Sequence, residues 1–182
     1  MYKYHNPVEV VFGTGMLKDL GELMDQRGME KALIISDPFT HQCGVAEQIW
    51  KYAGGRVLGI ASDVEPNPTC ENVDACAAKA RAVGAKAIIA LGGGSAMDCA
   101  KSTAAAVAMN CTAIELLQGK PITAALPLIA IPTTAGTGSE AGWGAVLSRR
   151  ATNEKIAIFG NPLFPQVAII DPVLTYTVPP PP

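Results

Sequence analysis

The chain has 182 residues, of which 49% are hydrophobic and 16% charged, with a net charge of −2. This composition supports a buried core and excludes a disordered chain. The slight acidity argues against a nucleic-acid surface, no apolar run is long enough to span a membrane, and five cysteines without a C-x-x-C pair indicate reduced thiols in the cytoplasm.

Short apolar segments alternate with helical patterns along most of the chain. The predicted strands cover 9–13, 31–36, 56–61, 86–91, 127–132 and 167–171. The predicted helices cover 16–28, 42–53, 70–83 and a segment from the glycines at 92–94 to about residue 109, and residues 144–148 and 154–159 are typical of a β-hairpin. Buried strands that alternate with helices predict an α/β fold, a mostly parallel sheet flanked by helices.

Polar or glycine-rich loops follow four of these strands. Asp37 ends one strand, the loop 63–69 follows the next, and loops that begin at Gly92 and Thr133 follow two more. Ligands of parallel sheets bind at the carboxyl ends of the strands, so we expect these loops to form one site. Within the loop 63–69, the position before Pro68 predicts an extended backbone at Asn67.

Three consecutive glycines lie where a strand becomes a helix. Backbone N–H groups at a helix N-terminus bind phosphate when no Cβ blocks the approach, so Gly93 and Gly94 suit a pyrophosphate. Ser95 can cap the helix or donate its hydroxyl to the anion. A tight turn that needs glycine only for its dihedral angles is the alternative. Asp98, one turn later, either complements the helix dipole or contacts a cofactor or substrate.

A second loop, "IPTTAGTGSE" at 131–140, is rich in hydroxyl groups that suit ribose and phosphate oxygens. Two such loops favour a dinucleotide over a mononucleotide, although a plain turn is the alternative. Asp37 can accept hydrogen bonds from an adenosine ribose and repel a 2′-phosphate, which favours NAD over NADP. Asp37 can equally be a helix or turn cap.

Together, "EPNPT", "ALGGGSAMDCAK", "IPTTAGTGSE" and "PQVAIIDPVLTYTVPP" resemble the iron-containing (group III, metal-dependent) alcohol dehydrogenase family. The resemblance implies a Rossmann-like dinucleotide-binding domain over residues 1–178, with 179–182 a proline-rich end or truncated interdomain linker. In the family a mostly helical, metal-binding domain follows. The resemblance also implies a homodimer formed through the N-terminal strand.

The resemblance assigns the cofactor-binding residues one by one. It places the pyrophosphate at Gly93, Gly94 and Ser95, the adenosine at Asp37 and Asn67, and the nicotinamide end near Asp98 and Lys155. The nucleotide cleft is further lined by Thr133, Thr134, Gly136, Thr137 and Val146. The chain departs from the family at Gly142, where we expect a hydroxyl contact to the cofactor to be lost, and at Trp143, which we expect to reshape the cleft.

The family's reaction uses Fe²⁺ or Zn²⁺ held by one Asp and three His. This chain has two histidines, His5 and His41, so we expect no metal ligand and no catalytic residue in it. The resemblance implies the cofactor half of an NAD-dependent dehydrogenase of small alcohols or aldehydes, and the 182-residue chain alone is predicted to be inactive. The alternatives are a non-catalytic NAD-binding module and an enzyme related to glycerol dehydrogenase or dehydroquinate synthase.

Overall fold

The computed structural model describes residues 5–152 and 154–176. Its strands are β1 Glu9–Phe12, β2 Ala32–Ser36, β3 Val57–Ala61, β4 Ala87–Gly92, β5 Leu128–Pro132, β6 Gly144–Arg149, β7 Glu154–Phe159 and β8 Val167–Ile170. Its α-helices are α1 Leu20–Gln26, α2 Pro38–Gln42, α3 Val45–Tyr52, α4 Cys70–Ala82, α5 Gly94–Ala108 and α6 Ala113–Leu117. The proline-rich end at 179–182, and part of the predicted domain 1–178, lie outside the described residues.

Six strands form one parallel sheet in the order β1-β8-β5-β4-β2-β3. Alternate residues of the central strands face two different hydrophobic clusters. Leu33 and Ile35 pack with α4, α5 and α6 on one face, whereas Ile34 packs with α1 and α3 on the other. Because both faces are covered, β2, β4 and β5 are buried along their whole length, which explains their uninterrupted apolar sequence. The predicted α/β architecture is confirmed.

The helix predicted over 42–53 is observed as α3, Val45–Tyr52, and a separate short helix that was not predicted, α2, precedes it. Gly44 separates α2 from α3 and has a left-handed backbone with φ of 76°, so a continuous helix cannot pass through it. A further short helix, α6, was not predicted. It begins with a capping box in which Thr112 accepts from the backbone of Glu115 and the Glu115 carboxylate accepts from the backbone of Thr112.

The predicted hairpin is confirmed as an antiparallel pair, β6 and β7, outside the main sheet. One face, with Ala145, Leu147 and Ile158, is buried against the core. The opposite face carries Val146 and Phe159, which are exposed. The hairpin therefore presents one solvent-facing side beside the carboxyl end of the sheet. Among the described residues, no helix has both the length and the apolar character needed to cross a bilayer.

Candidate functional site

The four predicted loops follow β2, β3, β4 and β5, which are neighbours in the sheet. From β2 the chain continues outward to β3, and from β4 it continues to β5 on the opposite side. The boundary between β2 and β4 is thus a topological switch point, where open α/β sheets form a ligand crevice. Asp37 follows β2 and Gly93 follows β4, so both lie at this crevice.

A cleft of about 740 Å³ opens at the switch point. Its volume is within the range of roughly 300–1,000 Å³ that is common for small-molecule sites. Six residues predicted from the sequence line it: Asp37, Gly93, Gly94, Ser95, Thr133 and Thr134. Its other walls are largely apolar and include Phe39, Cys43, Val45, Val64 and Leu174. The cleft thus combines an apolar end with hydroxyl groups and a helix N-terminus.

The three glycines allow neighbouring loops to approach the start of α5. A Cβ at Gly92 would lie 2.7 Å from Oδ2 of Asp37, and φ of Gly92 is +136°. A Cβ at Gly93 would lie 3.3 Å from Oγ1 of Thr134, and one at Gly94 would lie 2.8 Å from Cγ2 of Thr137. Side chains at these positions would therefore first displace protein groups. The space beside Gly93 and Gly94 is occupied by Thr134 and Thr137 of the loop after β5, and the space beside Gly92 is occupied by Asp37 and Ala96.

The N-terminus of α5 supplies backbone donors at the cleft. Its first helical hydrogen bond is donated by the N–H of Met97 to the carbonyl of Gly93, at 3.1 Å. The N–H groups of Gly94, Ser95 and Ala96 precede that bond and belong to the unpaired first turn of a helix. All three residues line the cleft. An anion placed there meets backbone donors and the positive end of the helix dipole.

Ser95 does not cap α5, because Gly93 occupies the N-cap position without a side-chain bond. Instead, Oγ of Ser95 accepts from the N–H of Asn67 at 3.1 Å. This contact leaves the hydroxyl proton of Ser95 available to another acceptor. The predicted extended backbone of Asn67 is wrong, since its φ is +55°. Asparagine tolerates the left-handed region, and the bond to Ser95 stabilises it there.

Asp37 is the N-cap of α2 and also a cleft residue. Its Oδ1 accepts from the N–H of Thr40 at 2.8 Å, and its carbonyl accepts from the Thr40 hydroxyl at 2.9 Å. Its Oδ2 is the atom close to Gly92. The two interpretations of Asp37 from the sequence, cap and ligand contact, are therefore compatible, because capping uses one carboxylate oxygen.

Asp98 connects α5 to the β6–β7 hairpin and lies outside the cleft lining. Its Oδ1 accepts from the hydroxyl of Ser139 at 2.9 Å, and its Oδ2 accepts from the N–H of Val146 at 3.1 Å. Burial raises the pKa of the Asp98 carboxyl, whereas the Val146 and Ser139 bonds and the charge of Lys101 oppose the shift. Both oxygens are thus engaged by the protein, so Asp98 is more than a charge that complements the helix dipole. Its contact with a cofactor or substrate stays a prediction.

The remaining predicted residues lie beside the cleft and do not line it. Thr137 and Gly136 are exposed in the loop after β5. Val146 and Lys155 share the exposed face of the hairpin, where Val146 pairs with Ala157 and Lys155 pairs with Ser148. The structure thus divides the predicted set into an Asp37 side and a hairpin side, with the N-terminus of α5 between them.

Sequence reasoning missed the role of Lys101, which is fully buried beneath the hairpin. A lysine seven residues into a helix gives no local sign of burial. It also missed the apolar cleft wall formed by Phe39 and Cys43, although a Phe directly after a strand-end Asp-Pro was an available signal.

The described residues contain no cluster of three or more side chains suited to hold a metal ion. His5 is exposed, and Nδ1 of His41 lies 2.7 Å from Oε1 of Glu47 on the next helix. Such a lone His–Glu pair on the surface lacks the convergent ligands of a metal site.

Comparison with known proteins agrees with this architecture. A family model described as iron-containing alcohol dehydrogenase matches residues 7–172. The NAD-dependent methanol dehydrogenase of Bacillus methanolicus is 34% identical over 181 residues, which are 96% of this chain and 46% of that protein. Alcohol dehydrogenase 4 of Saccharomyces cerevisiae is also 34% identical, over 97% of this chain and 47% of that protein. The chain spans about half the length of the curated relatives it matches.

Solved structures give the same result. Sulfoacetaldehyde reductase from Bifidobacterium kashiwanohense, in complex with NAD⁺, superposes with a TM-score of 0.94 at 35% identity, covering 98% of this chain and 48% of that one. NADH-dependent butanol dehydrogenase A from Thermotoga maritima superposes with a TM-score of 0.91 at 30% identity, covering 98% and 46%. The motifs, the parallel sheet and these matches establish that the chain belongs to the iron-containing alcohol dehydrogenase family.

Proposed function

We propose that this chain binds NAD across the carboxyl edge of its sheet. The adenosine occupies the cleft beside Asp37, and the pyrophosphate meets the first turn of α5. The nicotinamide extends toward Asp98 and the exposed face of the hairpin. The observation that carries the proposal is the 740 Å³ cleft, because it joins an apolar wall, a carboxylate and a helix N-terminus at the switch point.

The chain's own groups fit a pyrophosphate at α5. Backbone N–H groups of the first turn donate to its oxygens, and Ser95 can add its hydroxyl because its oxygen already accepts from Asn67. Thr133 and Thr134 supply further hydroxyl groups in the cleft lining. These residues bind and orient the cofactor, and no proton transfer is required of them.

We propose NAD over NADP because the carboxylate of Asp37 lines the cleft. Its free oxygen can accept from the ribose hydroxyls, whereas a 2′-phosphate would meet a like charge. Support comes from relatives named as NAD- or NADH-dependent enzymes.

We propose that the whole protein transfers hydride reversibly between a small alcohol or aldehyde and NAD. The relatives named as methanol and butanol dehydrogenases support this substrate class. When bound, a divalent metal such as Fe²⁺ or Zn²⁺ would polarise the alcohol oxygen. The described residues of this chain offer no cluster for that metal, so we propose that the 182-residue chain binds cofactor without turning over alcohol.

Calorimetric titration of the chain with NAD and with ADP-ribose tests the binding proposal. We expect saturable binding of both, and a chain that binds neither would overturn it. A turnover assay with ethanol or butanol, NAD and added Fe²⁺ or Zn²⁺ tests the second proposal. Robust NADH formation by this chain alone would contradict it.

We propose further that the chain forms a homodimer through β1 and works in the cytoplasm. β1 is an edge strand of the sheet, and its Val10 and Phe12 side chains are 52% and 69% exposed. An unpaired apolar edge is a site for strand pairing with a second copy. All five cysteines are free thiols, which fits a reducing compartment.

A further inference from the structure

Lys101 is a fully buried charged residue in the interior of α5. Its Nζ donates to three oxygens: Oγ of Ser139 at 3.1 Å, the carbonyl of Gly142 at 2.9 Å and the carbonyl of Gly144 at 3.0 Å. An ammonium group has three N–H donors, so each donor has one acceptor. Burying this charge is therefore compensated by the segment that leads into β6.

The same segment is bonded to Asp98, one turn earlier on α5. The hydroxyl of Ser139 accepts from Lys101 and donates to Asp98, which links the two charged groups. The second carboxylate oxygen of Asp98 accepts from the N–H of Val146. We call Lys101, Asp98 and Ser139 the Lys101 network. The Lys101 network attaches residues 139–146 to α5, the helix whose N-terminus faces the cleft.

The Lys101 network lies on the hairpin side of the proposed cofactor site. Its acceptors and donors all belong to α5 and to residues 139–146. The Asp37 side of the cleft has its own contacts, the bonds of Asp37 to Thr40 and of Asn67 to Ser95. The far part of the hairpin is also joined to the loop after β3, because the N–H of Ser148 donates to the carbonyl of Pro68 at 2.8 Å. Loss of the network should therefore move residues 139–146 relative to α5, while the Asp37 side of the cleft and the loop after β3 keep their own contacts.

We propose that Lys101 is a positioning residue for the nicotinamide half of the cofactor. It acts through Ser139 and the carbonyls of Gly142 and Gly144, which set the place of Asp98 and of the exposed hairpin face. This inference rests on the proposed function, because it assumes that the nicotinamide lies between α5 and the hairpin. Lys101 itself does not touch the cofactor.

The charge of Lys101 makes the network sensitive to pH. Burial lowers the pKa of Lys101 to about 8, while Asp98 on its own helix and Glu140 on the neighbouring turn oppose the shift. A neutral amine has two N–H donors for three acceptors. The network therefore loses a hydrogen bond as the pH rises through about 8.

The test compares NAD with ADP-ribose, which lacks the nicotinamide, on the 182-residue chain. Lys101→Met removes all three donors of the network, and we expect the resulting displacement of Asp98 and the hairpin to reduce NAD affinity by about tenfold, a loss comparable to that of one hydrogen bond to a charged group. ADP-ribose affinity should stay unchanged. Lys86→Met is the matched control, because it removes the same charge from an exposed residue at the opposite end of β4.

A second variant and a pH series keep the test decisive if Lys101→Met does not fold. Ser139→Ala leaves the ammonium in place and removes the bridge to Asp98, and it should also lower the NAD-to-ADP-ribose affinity ratio. In the unmodified chain, that ratio should fall between pH 7 and 9 with a midpoint near 8. Titration of groups beside the adenosine cleft changes the affinities for NAD and ADP-ribose alike, so it cancels in their ratio.

The possible outcomes separate this inference from the proposed function. If the variants weaken both ligands equally, or leave the ratio unchanged, the positioning role of Lys101 is wrong while NAD binding stands. If the unmodified chain binds neither NAD nor ADP-ribose, the proposed function is overturned, and this inference with it.

Discussion

Asp37 shows how one residue can serve both structure and recognition. Its Oδ1 caps α2 through the N–H of Thr40, and its Oδ2 faces the cleft beside Gly92. A substitution that removes the whole side chain changes both roles. A substitution that keeps a hydrogen-bond acceptor and removes the charge separates them, because asparagine caps helices about as well as aspartate.

We predict that Asp37→Asn reduces the preference for NAD over NADP by about tenfold or more, since a like charge no longer faces the 2′-phosphate. The dissociation constants of both cofactors, measured by calorimetry, give the ratio. Thermal unfolding should be nearly unchanged, because the cap to Thr40 remains.

Asp37→Gly is the companion variant. It should relax the preference to the same degree and cost a few tenths of a kcal/mol of stability through the lost cap. Comparable NAD and NADP affinities in the unmodified chain would instead show that Asp37 does not select the cofactor.

At the scale of elements, the start of α5 depends on its contact with the loop after β5. The Cβ position of Gly94 lies 2.8 Å from Cγ2 of Thr137, so the glycine is needed for this packing. The sequence alone indicated a different reason, the approach of an anion. The structure separates packing from anion binding as reasons for the glycine. Thr137 lies on the side where a Cβ of Gly94 would be, whereas the backbone N–H groups of the first turn are directed along the helix axis.

We predict that Gly94→Ala destabilises the chain by roughly 1–3 kcal/mol, as overpacking usually does, and weakens NAD binding by displacing the loop. Adding Thr137→Ser removes the conflicting methyl and keeps the hydroxyl, so the double variant should recover both stability and affinity. Denaturant unfolding and calorimetry measure the two quantities, and Thr137→Ser alone is the control.

A double variant that regains its stability and still fails to bind NAD would contradict this account. That result would mean that the ligand itself needs the bare backbone at Gly94, as the glycine run first indicated.

The elements were predictable where the signal is local. The parallel strands follow from continuous apolar runs, and the hairpin follows from two short segments on either side of the mostly polar residues 149–153. The helix α2 was not predicted, and the helix predicted from residue 42 begins at Val45, because Gly44 before it has a left-handed φ that is visible only in the structure. The helix α6 was missed although Thr112 and Glu115 have the spacing of a capping box.

The site was predictable to the extent that strand ends determine it. Asp37, Gly93 and Thr133 lie together because each follows a strand of one parallel sheet. The contacts of Lys101 with Gly142 and Gly144 were not predictable, because they join residues about forty positions apart through tertiary packing. Val146 and Lys155 entered only through the family resemblance, and their roles stay predictions.

At the scale of the whole molecule, the sheet has two edges with different character. β1 forms one edge, and Val10 and Phe12 are among its exposed residues. β3 forms the other edge, where Leu58 is 38% exposed. The more exposed apolar edge is the better site for pairing with a second copy, so β1 is where we place the dimer.

We predict that the chain sediments as a dimer and that Val10→Lys with Phe12→Lys converts it to a monomer, because charged edge residues oppose strand pairing. NAD affinity should persist, since β1 is separated from the cleft strands β4 and β2 by β8 and β5. Leu58→Lys on the opposite edge is the matched control and should remain dimeric. A chain that is monomeric before substitution, or a dimer lost through Leu58→Lys and kept in the β1 variant, would place the interface elsewhere.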